Sequence, residues 1–322
     1  MPSNRLALFV VLSAFVSHAA ASRDWGDVSS PTAATPEAIG ETGAGCLAGG
    51  VRLPPEGEGY KVMHLERNRN YGHPDLIRSI IDLGHATAQG HWGELHVGDL
   101  SQPRGGPMRF GHRSHQTGID ADVWFALDPN LIRNADGLRS NIPAPSLLTP
   151  DQTRLNHMLW DIRHARVLET AARDPHVDRI FVNAHIKQEL CRSVRGDRSW
   201  LRKIRPWHRH DDHFHMRLAC PADSPDCVPQ KPLEPGDGCD ASLDWWLSLP
   251  APPATARQPS RAGPLARPAP RLQGGIEWPV ISQGLTDSTR LCRGFPRPGR
   301  RQTPDNRTCA HRDDRSFDDT SS

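Results

Sequence analysis

The sequence predicts an α+β fold in which helices flank a small, mainly antiparallel sheet. Two observations lead there. Two stretches carry apolar residues at the i, i+3, i+4 spacing of an amphipathic helix. Between and after them lie short β-rich runs that read as hairpin-separated strands, a combination typical of α+β domains.

In chain order, Arg5, the apolar run Leu6 to Val16 and the small residues Ala19, Ala20 and Ala21 read as a signal peptide over 1–21, with the mature chain starting at Ser22. The apolar run falls short of the roughly 20 residues that span a bilayer, so a soluble exported protein is expected, without a membrane span. Residues 22–246 are expected to fold as one domain. Its first helix begins at Pro74-Asp75 and continues through Leu76, Ile77, Ile80, Ile81 and Ala86. A second is expected from Thr149-Pro150-Asp151 through Leu155, Met158, Leu159, Ile162, Ala165 and Leu168. The strands are expected at His96 to Leu100, Ile119 to Phe125, Arg179 to Val182 and His213 to Leu218.

Composition then changes. Residues 247–275 form a proline-rich linker without apolar periodicity, and 276–322 a polar tail expected to be disordered apart from one disulfide. A formal charge of +2 gives no footprint for nucleic acid, and the excess of arginine over lysine is read as coding bias. Seven cysteines, none in a Cys-x2-Cys pair, suit disulfides in an oxidising compartment better than structural zinc. Among the nine tryptophans, those of the folded region include Trp124, Trp160, Trp200, Trp207, Trp245 and Trp246. Core packing is the default for them, and lining a glycan cleft the alternative.

Two segments carry the chemistry: Gly111-His-Arg-Ser-His-Gln-Thr-Gly-Ile-Asp-Ala-Asp122 and His210-Asp-Asp-His-Phe-His215. Period-2 alternation puts Phe214, Met216 and Leu218 on one strand face and His213 and His215 on the other. Ala121, Val123 and Phe125 likewise alternate with Asp120, Asp122 and Trp124. Gly118 is expected to make the approach flexible, and the loop at His115 to curl back toward Asp122. If the segments meet, His115, Asp122 and His215 supply two imidazoles and a carboxylate. That is the donor set of a catalytic zinc site with an open position for water. His213 is then the natural general base or oxyanion donor, with His210 a second candidate, and Asp120 a carboxylate behind the ligands. With seventeen histidines some close pairs arise by chance, so the combination of segments carries the specificity.

Rival hydrolase machinery is missing: neither Ser-x-x-Lys, Lys-Thr-Gly, Gly-x-Ser-x-Gly nor His-Glu-x-x-His occurs. A metal-binding protein without turnover would use the same residues. Oligomeric state is not fixed by the sequence.

The pattern Ser114-His115-x2-Gly118-x3-Asp122 with His213-x-His215 resembles that of lysostaphin-type and D-Ala-D-Ala metallopeptidases and penicillin-insensitive murein endopeptidases. Longer strings resemble the last family: Tyr71-Gly-His-Pro-Asp-Leu76, Gly111-His-x-Ser-His-Gln-Thr-Gly118, Arg179-Ile-Phe-Val-Asn183, Trp200-Leu-Arg-Lys-x-Arg-Pro-Trp207 and Cys220-Pro-Ala-Asp-Ser224. The resemblance runs from about Gly45 to about Trp246. It implies zinc-dependent hydrolysis of D-alanyl to meso-diaminopimelyl cross-links of peptidoglycan in the periplasm, without inhibition by β-lactams. The missing serine motifs agree with that insensitivity. Beside this reading, a periplasmic zinc- or peptidoglycan-binding protein without turnover, or a D-Ala-D-Ala carboxypeptidase or dipeptidase, would use the same residues. It also implies His112 as a metal-associated residue, and disulfides Cys220 to Cys227, Cys191 to Cys239, and Cys46 to Cys292 or Cys309. A further zinc in some family members uses Asp-x-x-His, but here Asp151 is followed by Arg154. Arg104, Arg109 and Arg113 are candidates to meet stem-peptide carboxylates, with solvated surface the alternative.

Overall fold

The structure is a computed structural model that describes residues 25–130, 139–140 and 142–250. The expected signal peptide, the linker beyond Pro250 and the tail with Cys292 and Cys309 lie outside the described residues. The strands are β1 (Glu37–Glu41), β2 (Ala44–Ala48), β3 (Val51–Arg52), β4 (Glu56–Gly57), β5 (Tyr60–Val62), β6 (Tyr71–Gly72), β7 (Leu95–Val97), β8 (Asp120–Trp124), β9 (Val177–Val182), β10 (Ile204–Pro206) and β11 (His213–Leu218). The helices are α1 (Pro74–Gln89), α2 (Ile162–Arg173), α3 (Ala184–Ser193) and α4 (Ala241–Ser248).

The fold is α+β, but its main sheet is larger and more mixed than the sequence suggests. Seven strands run in the order β10-β9-β11-β8-β7-β5-β4. The β10/β9 and β5/β7 pairs are parallel and the other neighbours antiparallel. The β4/β5, β7/β8 and β9/β10 pairs join strands consecutive in the chain, whereas β8 and β11, at the centre, meet across most of the domain. Antiparallel register sets His215 opposite Asp122 and Arg217 opposite Asp120.

One face of this β8/β11 pair builds the core. Ala121, Val123, Phe214, Met216 and Leu218 are buried there with Leu76, Ile80 and Leu83 of α1 and Val167, Leu168 and Ala171 of α2. The other face carries Asp120, Asp122, His213 and His215, as alternation predicts. The strand expected at His96 to Leu100 ends at Val97. Gly98 N–H then donates to Asp122 O at 2.8 Å and Asp99 O accepts from Asp122 N–H at 3.1 Å, so the chain still braces β8 while departing from the ladder.

Helix α1 starts where Pro74 predicts, with His73 as its N-cap accepting from Asp75 N–H at 3.3 Å. Helix α2 corrects the expected start at Asp151. It begins at Ile162, because Asp161 caps Arg163 N–H at 2.8 Å while His164 Nδ1 accepts from Asp161 N–H at 3.0 Å, a reciprocal cap. Upstream, Asp151 accepts from the Thr149 hydroxyl at 2.5 Å and Leu148 bridges to Leu155. Those contacts hold a turn, and Met158, whose spacing suggested the buried face, is 90% exposed.

Cys191–Cys239 and Cys220–Cys227 are disulfides, with Cα separations of 5.6 and 5.7 Å. Cys46 is also disulfide-bonded. Among the described residues no helix is long and apolar enough to cross a membrane.

Candidate metal centre

Asp122 is the hub of the site. Its Oδ1 lies 3.3 Å from His115 Nε2 and 3.3 Å from His215 Nδ1, and its Oδ2 lies 3.3 Å from His112 Nδ1 and 3.7 Å from His213 Nε2. The two sequence segments therefore meet. His215 arrives by strand register and His115 by a loop whose backbone is left-handed at His115 (φ 70°), an uncommon conformation for a side-chain-bearing residue. Gly118 does not supply flexibility. Its φ of 73° and the approach of Leu47 to 2.6 Å of where a Cβ would stand fix the turn that returns His115 to the strand.

Outer partners choose which ring nitrogen faces inward. His115 Nδ1–H donates to Leu100 O at 3.1 Å, leaving Nε2 toward Asp122. His215 Nε2–H donates to Asp120 Oδ1 at 2.6 Å, leaving Nδ1 inward. Arg217 Nε also donates to Asp120, and its guanidinium lies 5.2 Å from the centroid of the Phe181 ring. His213 Nδ1 meets Asp212 Oδ1 at 2.6 Å, and His112 Nε2 meets Asp99 Oδ2 at 3.2 Å. Asp99 is held in turn by Arg69 at 2.8 Å and Arg67 at 3.2 Å, while Arg69 reaches the Phe110 carbonyl in the loop carrying His112. His210 Nδ1–H bonds to His208 O at 2.8 Å, and its ring stands 4.9 Å from His213 and 5.9 Å from His215.

These residues fit a divalent metal. His115 Nε2 and Asp122 Oδ1 are fully buried and lack any hydrogen-bond partner, a costly state for polar atoms unless something else engages them. Ligand atoms of His112, His115 and Asp122 lie within 4.8 Å of one another. Two imidazoles and a carboxylate, each backed by a hydrogen-bonded outer partner, suit zinc.

The carboxylates and rings shift one another: burial alone would lower His115, but Asp122, Asp120 and Asp99 raise it, so a proton and a metal compete for its Nε2. Burial alone would raise the Asp122 carboxyl, but His213, His115 and His112 hold it well below the usual carboxylate range. Asp120 is likewise lowered against its burial, by Arg217 and His215. Burial lowers His215 to about 4, and burial beside His213 and His215 lowers His210 to about 3, so both rings are neutral at pH 7. His213 moves the other way: Asp122 and Asp212 overcome its burial and raise it.

Other candidates separate from this cluster. Asp151 is tied to Thr149 and Thr153 in its turn, with Arg154 where a histidine would be needed. Arg109 pairs with Asp27 at 2.7 Å and Arg104 donates to Ser30 O at 3.1 Å. His73, Asp75 and Asp223 form a second His/Asp group, but His73 Nδ1 accepts the Asp75 amide, which leaves the proton on Nε2 facing Asp223 at 3.2 Å. Sequence reasoning missed Asp99, Asp212 and Arg217. Arg217 follows His215 by two residues on the same strand face, so alternation alone signals it.

A family model described as penicillin-insensitive murein endopeptidase matches residues 38–274. The penicillin-insensitive murein endopeptidase of Haemophilus influenzae is 42% identical over 226 residues, covering 70% of this chain and 78% of that protein. That of Salmonella paratyphi C is 39% identical over 259 residues, covering 80% and 94%. That of Salmonella newport is 39% identical over 256 residues, covering 79% and 93%. With strand register, histidine cluster and these likenesses in agreement, the chain belongs to the penicillin-insensitive murein endopeptidase family.

Proposed function

We propose that this chain is a zinc-dependent murein endopeptidase of the periplasm, hydrolysing D-alanyl to meso-diaminopimelyl cross-links and insensitive to β-lactams. The observation that carries the reading is the convergence of four histidines on Asp122 around two buried, partnerless ligand atoms, in a chain of this family. His115, Asp122 and His215 would hold the metal, with His112 at the rim. Zinc bound there supplies a Lewis acid for the scissile carbonyl and a water acidified toward pKa ~7.

The chain's own groups do the rest. Asp120 and the Leu100 carbonyl keep His215 and His115 in the tautomers that present a lone pair inward. Asp212 keeps His213 Nε2 aimed at the same space; with a metal offsetting the Asp122 charge that raises this ring, it would take the proton of the attacking water and return it to the leaving amine. The protonated form of that nitrogen is also a donor to the developing oxyanion. Insensitivity to β-lactams follows from the absence of the acylating serine motifs.

Digesting cross-linked sacculi with and without a chelator, followed by mass analysis of the products, tests the reading. Release of uncross-linked stem peptides that stops with chelator and returns with zinc is expected. Zinc binding without cleavage would make it a binding protein, and removal of terminal D-alanine alone would make it a carboxypeptidase.

A further inference from the structure

Trp124, Trp160 and Trp200 are buried, but Trp207 is 50% exposed and Trp245 58% exposed. Large aromatic area left in water in one place marks a binding surface more often than chance. The rings are contiguous: Trp245 lies 5.1 Å from Trp246, and Trp246 lies 5.6 Å from Trp207 and 5.1 Å from His208. Trp207 stands edge-on to Phe181 at 5.5 Å, and Phe181 edge-on to His215 at 5.4 Å. An aromatic run therefore leads from the candidate metal centre to the surface. Beside it opens a groove of about 290 Å³ whose lining includes Trp207, Trp246, Gln152 and Arg209. Helix α4 presents Trp245 and Trp246 from a braced position, its N-cap Asp240 following the Cys191–Cys239 disulfide.

We propose that this run is a stacking platform for the glycan strand from which the cross-linked stem peptide hangs; the inference rests on the murein reading above and adds a subsite to it. The chemistry selects the sugar. Stem peptides built on alanine, glutamate and diaminopimelate offer no large apolar surface to a tryptophan face. The C–H face of a pyranose does, and the hydroxyl and acetamido groups at its edge suit polar groups such as Gln152 and Arg209 at the rim. The reach fits as well. A stem of about four residues spans at most roughly 14 Å when extended. The three ring-to-ring steps of 5.4, 5.5 and 5.6 Å set an upper limit of comparable length on the separation of His215 and Trp246.

The test compares two substrates with the same cross-link, a muropeptide dimer that keeps its disaccharides and the same peptide dimer freed of sugar by an amidase. For zinc-loaded Trp246→Ala, the ratio of kcat/KM on the sugar-bearing dimer to that on the sugar-free dimer is expected to fall about tenfold, through KM. Trp245→Ser, at the more exposed ring, should lower the same ratio without depending on how the Trp246 variant folds. An unchanged ratio in both variants, or an equal loss on both substrates, overturns the platform. Saturation-transfer NMR with a soluble N-acetylglucosamine oligomer should show contact in the unsubstituted protein that Trp245→Ser weakens, and no contact overturns the platform too. If the unsubstituted protein cleaves neither dimer yet holds the oligomer, the endopeptidase reading fails while the sugar surface stands.

Discussion

His215 gives its Nε2–H to Asp120 Oδ1 at 2.6 Å, and that bond turns the other ring nitrogen toward Asp122. Asp120 is itself completely buried and shared with Arg217, so it cannot relax into water. For Asp120→Asn, which keeps the volume but loses the charge, zinc affinity is expected to fall by about 10- to 100-fold with activity following. Competitive zinc titration measures it. Unchanged affinity would show that His215 does not need this partner. Arg217 would be left without its anion in the interior, so a lowered Tm should accompany the change.

His115→Ala, Asp122→Ala and His215→Ala should each lose both metal and activity while keeping the fold, since the cluster lies on one face of a sheet whose core lies on the other. Metal content by mass spectrometry and melting curves by circular dichroism separate the two effects. Full zinc occupancy in any one of them removes that residue from the ligands.

Strands β8 and β11 were legible because each combines an apolar face with a polar one at period 2, and Pro74 marked α1 for the same kind of local reason. The segment 151–161 was not. Leu155, Met158 and Leu159 match a helical stripe by spacing alone, and the reciprocal cap between Asp161 and His164 settles the start further on. Which strands are neighbours was also hidden, since β8 and β11 pair across most of the domain. Asp99 joins the site only because β7 ends beside β8, a tertiary event that no local pattern announces. The tryptophans show the same limit: composition could not tell Trp124, packed against Met63, from Trp207, which faces water.

Lys187 offers a prediction away from the site. It is fully buried, with Nζ donating to Leu201 O at 2.7 Å and Asp237 O at 2.5 Å. Burial, and then the Arg205 guanidinium, push its pKa down from 10.5 to about 7. Between those values the unfolded chain binds the proton that the folded chain has released, so this group makes stability rise with pH across that window. Below about 7 the cost of the buried cation is fully present, and above about 10.5 it is gone. The stability difference between the unsubstituted protein and Lys187→Met should therefore shift toward the unsubstituted protein as pH rises from about 7 to 10. Urea unfolding at a series of pH values reads it. A constant difference would mean that the amine keeps its ordinary pKa.

His213 and His215 leave one strand on one face, yet their surroundings divide their roles. His215 turns Nδ1 to within 3.3 Å of Asp122 and is neutral, the state that metal ligation would require. His213 Nε2 stands farther, at 3.7 Å, and its other nitrogen is held by the Asp212 carboxylate, an arrangement that favours carrying a proton. A further imidazole on the metal would also close the position that water needs. His213→Ala is therefore expected to keep near-normal zinc while turnover falls by about 10²-fold or more, the range of a lost acid-base or oxyanion group. Binding of cross-linked muropeptide should survive the change. Zinc lost in parallel with activity would instead place His213 among the ligands and leave proton transfer to His210, whose ring lies 4.9 Å away.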